Sequence, residues 1–218
     1  MDNQITLDSN SASIQYLEKK DKRLAKVIKM VGPISYTPHC DDEYDFLIHE
    51  IIEQMLSVKA GKRIYDRLSL LCNNSITPEN ISNLTDEQIR STGTSFAKVS
   101  YIRNMTNAVL NGSLNFEVLA KASDAEVIKQ LTALRGIGTW TAKMYLIFVL
   151  DRPDVLPFED GAFLQSYRWL YKTTDCKPAS ITNKCKKWKP YSSIAARYLY
   201  RVLDLGMTKT EFHLFKED

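Results

Sequence analysis

The sequence predicts an all-α protein, because apolar residues recur at helical spacing and capping signals precede many short segments. An apolar stripe with a period of three to four residues predicts a central helix. The stripe consists of Leu47, Ile51, Met55 and Val58. Thr85 with Gln88 matches a capping box, which marks the start of another helix. No segment shows sustained strand alternation, although residues 34–36 are bounded by prolines and are compatible with extended backbone.

Length and composition set broad limits on the fold. The chain has 218 residues and a net charge of +3, so one compact unit or two closely packed subdomains are both feasible. The first 13 residues are polar and lack a basic start, so we expect residues 1–14 to form a flexible N-terminus without a signal peptide. No apolar stretch reaches about 18 residues, so we expect no membrane span.

Cysteine and histidine positions argue against a metal centre. The cysteines are Cys40, Cys72, Cys176 and Cys185. They lack Cys-x-x-Cys spacing, so we expect reduced thiols in a cytoplasm. The three histidines are isolated in sequence, so neither a metal site nor a histidine base is indicated.

The most informative segment is a glycine-containing loop between two apolar helical segments, expected to form a hairpin over residues 131–150. Glycine permits a tight turn that places backbone N–H groups of a helix start against a phosphate. Alone, such a loop fits a simple corner between helices equally well. The predicted contacts to the DNA backbone are Gly136, Gly138, Thr139 and Thr141. Lys143 is interpreted as a surface or phosphate-facing lysine.

Further motifs follow and precede the hairpin in a recognisable order. They are the Gln54-Met55-Leu56-Ser57 run, a Gly-x-Ser-x-x-Lys-x-x-Tyr-Ile segment from Gly93, the Pro157-Phe158-Glu159-Asp160 segment and Trp188-Lys189-Pro190-Tyr191. With the hairpin, this order resembles the helix-hairpin-helix base-excision glycosylases, and within them the DNA-3-methyladenine glycosylases. The resemblance runs from about Phe46 to Leu203.

The resemblance implies two helical subdomains around a cleft. The central subdomain would comprise residues 45–154, and the outer one residues 15–44 and 155–218. The implied partner is double-stranded DNA containing alkylated bases, bound by a monomer with no membrane association. The expected location is cytoplasmic and nucleoid-associated, or nuclear in a eukaryote.

The implied chemistry is hydrolysis of the bond between an alkylated purine, of the 3-methyladenine type, and its sugar. Asp160 would be the catalytic carboxylate that stabilises oxocarbenium character at C1′. The neighbouring Glu159, or a plain helix-capping role for the aspartate, are alternatives. Trp140 stands where bifunctional relatives have a lysine, which implies a monofunctional enzyme without lyase activity.

Other roles are carried over by position. Trp140, Tyr191 and Met144 would line the pocket for the flipped base, and Met55 would fill the space that the base leaves. Core packing is an open alternative for Trp140, Tyr191 and Met55.

The resemblance also bears on bound groups. It implies that the carbonyls of Thr132, Leu134 and Ile137 hold Na⁺ or K⁺. No cofactor is expected to be required. Because only two cysteines lie near the C-terminus, no iron–sulfur cluster is expected either.

Lysines are concentrated near the C-terminal end. Six occur from 172 to 189, against the single acid Asp175. This run is either a solvated loop or a stripe that neutralises DNA phosphates.

Two other functions are compatible with the sequence. One is a noncatalytic DNA-binding helix-hairpin-helix module, and the other is a glycosylase for other damaged bases, such as oxidised or mismatched ones. Replacement of Asp160 distinguishes catalysis from binding alone.

Overall fold

The computed structural model describes residues 4–39 and 42–215, so Cys40 lies outside the described residues. The chain forms two compact units. Unit 1 comprises Met1–Pro38 and Asp151–Asp218, and unit 2 comprises His39–Leu150. The resemblance implies boundaries between residues 44 and 45 and between residues 154 and 155. Each lies a few residues C-terminal to the boundary in the structure.

Helices make up most of the described chain, which confirms the all-α class. The first segment of unit 1 contains β1 (Ile5–Leu7), α1 (Ala12–Lys20), α2 (Lys22–Val31) and β2 (Ile34–Tyr36). Unit 2 contains α3 (Glu43–Glu53), α4 (Val58–Leu71), α5 (Pro78–Ser82), α6 (Asp86–Ser91), α7 (Phe96–Leu110), α8 (Phe116–Lys121), α9 (Asp124–Thr132) and α10 (Thr139–Phe148). The second segment of unit 1 contains α11 (Gly161–Tyr171), α12 (Pro178–Cys185) and α13 (Ser192–Asp204), with 3₁₀ turns at Lys186–Trp188 and Met207–Lys209. Within the described ranges, no helix combines the length and apolar character needed to cross a membrane.

The N-terminal residues are ordered from residue 4 onward. Strand β1 pairs antiparallel with β2, with Thr6 opposite Ser35. Leu7 and Ile14 are only 5% and 1% exposed. The prediction of a flexible terminus over residues 1–14 is therefore wrong for residues 4–14, because these residues bury apolar side chains in the core of unit 1. Residues 1–3 lie outside the described part.

In unit 1, Asp21 links the N-terminal helices to the C-terminal segment. Its Oδ1 accepts the amide of Arg23 at 3.0 Å, which caps α2. Its Oδ2 accepts hydrogen bonds from the Tyr171 hydroxyl and from Nε1 of Trp188, the latter at 3.0 Å. The ammonium of Lys187 lies 3.0 Å from the same oxygen. Burial alone would raise the pKa of Asp21, but the hydrogen bonds from these three side chains outweigh it and lower the pKa.

In unit 2, helix α3 is central, as the apolar stripe predicts. Its core residues, all 0% exposed, are Leu47, Ile48, Ile51 and Ile52. The prediction that the stripe continues to Met55 and Val58 in the same helix is wrong, because α3 ends at Glu53 and the backbone of Gln54, with ψ 127, is not helical. Met55 and Val58 are consequently 102% and 77% exposed. The capping box of Thr85 with Gln88 is confirmed at the start of α6.

The Asp21→Asn variant is expected to lower the free energy of unfolding by about 2–3 kcal/mol, because charged hydrogen bonds to a buried carboxylate are lost. Urea denaturation at pH 7, followed by circular dichroism, measures this change. Asp66→Asn is the matched control, since Asp66 pairs with Lys62 at 3.0 Å on the surface of α4, and exposed pairs contribute about 0.5 kcal/mol or less.

The same variant predicts a pH dependence. The pKa of Asp21 is lower in the folded protein, so its stabilisation is present above the unfolded pKa of about 4 and is lost as pH falls through the folded value. The difference in stability between wild type and variant should therefore shrink below about pH 4. A difference that stays constant down to about pH 2 would contradict this account.

Candidate functional site

The hairpin lies where the sequence predicts it, between the end of α9 and the start of α10. Gly136 has φ 102, a backbone conformation that L side chains rarely adopt. A Cβ at this position would lie 2.2 Å from Cγ of Tyr101. Glycine is therefore required at 136 by both backbone conformation and close approach. At Gly138, in contrast, nothing lies within 4 Å of the Cβ position.

The start of α10 presents backbone donors on the surface of unit 2. The first bond within the helix runs from the Ala142 amide to the Gly138 carbonyl at 3.1 Å. Gly138 and Thr139 precede that bond and are both exposed, which is the arrangement that suits a phosphate. Thr141 is only 1% exposed. The residue is therefore enclosed in unit 2, and its predicted contact with DNA stays a prediction.

Trp140 and Met144 lie one helical turn apart on α10. Trp140 is partly exposed, whereas Met144 is 4% exposed. The indole therefore offers surface for stacking, and the methionine belongs mainly to the core. Lys143 is 8% exposed, so the interpretation of this residue as a surface lysine is wrong.

Met55 occupies a left-handed turn between α3 and α4. Its φ is 58, and its 102% exposure rules out core burial. The ammonium of Lys98 donates to the carbonyls of Ile52 and Gln54, at 2.6 Å each. Nε2 of Gln54 donates to the carbonyl of Gly136 at 2.9 Å. Side-chain hydrogen bonds therefore connect the Met55 turn to α7 and to the hairpin loop, all within unit 2.

In unit 1, the structure distinguishes the two adjacent acids. Asp160 is 8% exposed, and its Oδ1 accepts the amide of Phe163 at 2.7 Å as the cap of α11. Glu159 is exposed to solvent. The carboxylate of Asp160 is therefore fixed by the helix start, an arrangement that suits both capping and catalysis.

The loop that leads to Asp160 is anchored on the start of α13. The hydroxyl and amide of Ser192 donate to Oδ1 of Asp154, at 2.5 and 3.3 Å. The amide of Val155 donates to Oγ of Ser193 at 2.9 Å. Ser192 is only 1% exposed, so this anchor is part of the interior of unit 1.

Tyr191 has an aromatic neighbour that the sequence did not indicate. Its ring meets that of Tyr16 edge-on, with centroids 5.4 Å apart. The Tyr16 hydroxyl donates to the carbonyl of Lys189 at 2.6 Å. Both tyrosines are partly exposed. Tyr16 was missed because it lies in the N-terminal segment, outside the motifs that carry the resemblance.

Sequence comparison identifies the family. Residues 48–190 match the family model that is described as "HhH-GPD superfamily base excision DNA repair protein". The chain belongs to the HhH-GPD superfamily. It is 31% identical to DNA-3-methyladenine glycosylase 1 of Schizosaccharomyces pombe over 199 residues, which cover 88% of this chain and 86% of that protein.

Solved structures of HhH-GPD relatives are similar over nearly the whole chain. The crystal structure of a DNA-3-methyladenine glycosidase from Bacillus halodurans has a TM-score of 0.84 and 31% identity, with 96% of this chain and 97% of that chain covered. The S. pombe 3-methyladenine DNA glycosylase in complex with abasic DNA has a TM-score of 0.79 and 27% identity. That comparison covers 95% of this chain and 100% of the other.

The lysine run of this HhH-GPD protein divides into paired and unpaired members. Three ammonium groups lie near carboxylates: Lys172 with Glu211, Lys187 with Asp21 and Lys189 with Asp154. Lys184 and Lys186 form no ion pair within the described residues. Both line an open depression of about 650 Å³ on unit 1. Its lining residues are Ser180, Asn183, Lys184, Lys186 and Lys187.

Gly136→Ala is expected to destabilise the HhH-GPD fold by about 3 kcal/mol, because overpacking against Tyr101 adds to the cost of a positive φ. It should also weaken DNA binding. Thermal unfolding and a binding titration measure the two effects. Gly138→Ala is the matched control, with an expected loss of stability of about 1 kcal/mol or less. Equal destabilisation by both substitutions would show that the Tyr101 contact is unimportant.

Proposed function

We propose that this HhH-GPD protein is a monofunctional DNA glycosylase that removes alkylated purines of the 3-methyladenine type from double-stranded DNA in base excision repair. The observation that carries the proposal is the buried Asp160 at the start of α11. It occurs in a chain that is similar over most of its length to a DNA-3-methyladenine glycosylase.

Asp160 is proposed to supply electrostatic stabilisation. A methylated purine carries positive charge, which weakens its bond to the sugar, and C1′ becomes positively charged as that bond breaks. A nearby carboxylate stabilises this charge and orients the water that adds hydroxide to C1′, while a proton is released. Because the Phe163 amide already holds Oδ1 of Asp160, little rearrangement is needed during the reaction.

Aromatic side chains are proposed to hold the flipped base. Stacking on electron-rich rings suits a cationic purine, and Trp140 and Tyr191 both retain exposed surface. Tyr16 supports Tyr191 from its edge. Met144 would contribute from its buried position. The indole at 140 carries no amine that could form a Schiff base with C1′, so we expect hydrolysis without strand cleavage.

DNA backbone contacts are proposed for the hairpin, at Gly136, Gly138, Thr139 and Thr141. The chemistry of the neighbouring carbonyls fits Na⁺ or K⁺, since hard cations prefer oxygen ligands. Thr132, Leu134 and Ile137 would hold such an ion. The Leu134 carbonyl accepts the Ile137 amide at 3.1 Å and keeps a second lone pair for an ion.

We further propose that catalysis requires no cofactor and no iron–sulfur cluster, and that the protein acts as a monomer. Its expected location follows from its substrate, which is the chromosomal DNA of the cytoplasm or of a nucleus. The described thiols are Cys72, Cys176 and Cys185, each without a disulfide.

The Asp160→Asn variant is expected to reduce base release by at least about 100-fold, because the charge that stabilises the transition state is lost. Asparagine caps helices about as well as aspartate, so folding and DNA binding should change little. Free methylated purines released from alkylated duplex DNA, with and without chelator, give the readout. Glu159→Gln is the matched control and should retain activity, since that side chain is in solvent.

Release by the wild type without strand nicking, and its loss in Asp160→Asn, would support the glycosylase. DNA binding without release of any base from alkylated DNA would instead favour the noncatalytic module. Activity confined to oxidised or mismatched bases would favour a glycosylase of different specificity.

The depression lined by Lys184, Lys186 and Lys187 is proposed to add salt-dependent affinity for the DNA backbone. Lys184→Ala with Lys186→Ala should reduce the slope of log K against log salt by up to about 2, close to one unit for each phosphate contact. The control is Lys62→Ala with Lys129→Ala, two lysines that already pair with acids on their own helices. An unchanged slope would identify the lysine run as a solvated loop.

A further inference from the structure

We infer that Lys98 and Gln54 are positioning residues that hold the Met55 turn and the hairpin loop in one fixed arrangement, and that they affect base release through Met55. This inference rests on the proposed function. It assigns a role to two polar side chains that touch neither the base nor the reacting atoms in that proposal.

Lys98 stabilises carbonyls at the C-terminal end of α3. The last carbonyls of a helix have no partner within it and carry partial negative charge. The ammonium of Lys98 donates to two of them, at Ile52 and Gln54, over 2.6 Å each. Partial burial lowers the pKa of Lys98, because desolvation disfavours the charged ammonium.

Gln54 extends the same network to the hairpin. Its side-chain amide donates to the carbonyl of Gly136 at 2.9 Å, and the Gly136 backbone lies against the ring of Tyr101. Tyr101 follows Lys98 by three residues on α7, so both side chains project from one face of that helix. Helix α7 therefore supports the Met55 turn through Lys98 and the hairpin through Tyr101.

Met55 itself contributes little to holding the turn. Its backbone has φ 58, which is unfavourable for a residue with a Cβ, and its side chain is fully exposed. Neither local conformation nor packing of this residue favours the observed geometry. One backbone hydrogen bond, from the Leu56 amide to the Glu53 carbonyl at 3.0 Å, closes the turn. The hydrogen bonds from Lys98 and Gln54 connect the turn to α7 and to the hairpin, and their loss should let it move.

The test is a double-mutant cycle with Lys98→Met and Met55→Ala. Single-turnover rates of methylpurine release are measured with enzyme in excess, and a 2-aminopurine beside an abasic-site analogue reports insertion into the stack by fluorescence. Each single substitution should slow release by about 10-fold or more, because small errors in position are costly for catalysis. The double variant should be no slower than Met55→Ala alone.

Three controls separate positioning from general destabilisation. Lys62→Met removes an exposed lysine of α4 and should leave release and fluorescence unchanged. Lys98→Arg should recover part of the rate, because a guanidinium can also donate to both carbonyls. Lys98→Met and Gln54→Leu should both reduce the fluorescence response. Gln54→Leu leaves the Lys98 ammonium in place, so it still tests the inference if Lys98→Met does not fold.

If the double variant lost the product of the two single-variant losses in release rate, the inference would be overturned, since Lys98 would then act independently of Met55. A normal fluorescence response in both Gln54→Leu and Lys98→Met would overturn it as well. The fluorescence readout needs no catalysis. If the wild type released no base, the proposed function would fail, while the cycle of insertion signals would still test the positioning role.

Discussion

Unit 1 is built from two stretches of chain that residues 39–150 separate, and the carboxylate of Asp21 joins them. It caps α2 in the first stretch and accepts hydrogen bonds from Tyr171 and Trp188 in the second. Tyr171 is the last residue of α11, and Asp160 caps the first turn of that helix. The helix that starts at the proposed catalytic carboxylate is therefore bonded to a buried anion at its other end.

A similar principle operates in unit 2, where polar side chains fix the functional turns. Apolar packing accounts for the core of α3 and α10, but it does not determine where the backbone leaves a helix. Hydrogen bonds from Lys98 and Gln54 to carbonyls define that exit. Gly136 then permits the close approach of the hairpin loop to Tyr101. Polar contacts to backbone thus set the geometry of surfaces that packing leaves undetermined.

The sequence predicted the features that depend on local pattern. Helical spacing identified the buried part of α3, the Thr85 capping box was recognisable from two residues, and the glycine loop located the hairpin. Met55 could not be separated from the stripe by spacing, because its exposure depends on the extended backbone of Gln54 and on Lys98, far away in sequence. The ordered N-terminus was likewise missed, because β1 exists through pairing with β2.

Burial along α10 was also beyond the reach of sequence pattern. Thr141 and Lys143 are polar, and polarity usually indicates exposure, yet both are enclosed in unit 2. At Asp160 the sequence could propose a carboxylate but could not separate it from Glu159. The difference in burial between these neighbours results from the helix start that only one of them can cap.

The exposure of Met55 has a consequence for how such a protein would search a genome. A large apolar side chain that is displayed before contact with DNA needs no conformational change on arrival. Under the proposed role, each encounter would test the local stacking of the duplex directly, and weakly stacked or damaged positions would yield first. Recognition would then begin while the protein diffuses along DNA, when Met55 contacts stacked base pairs, before any base reaches a pocket.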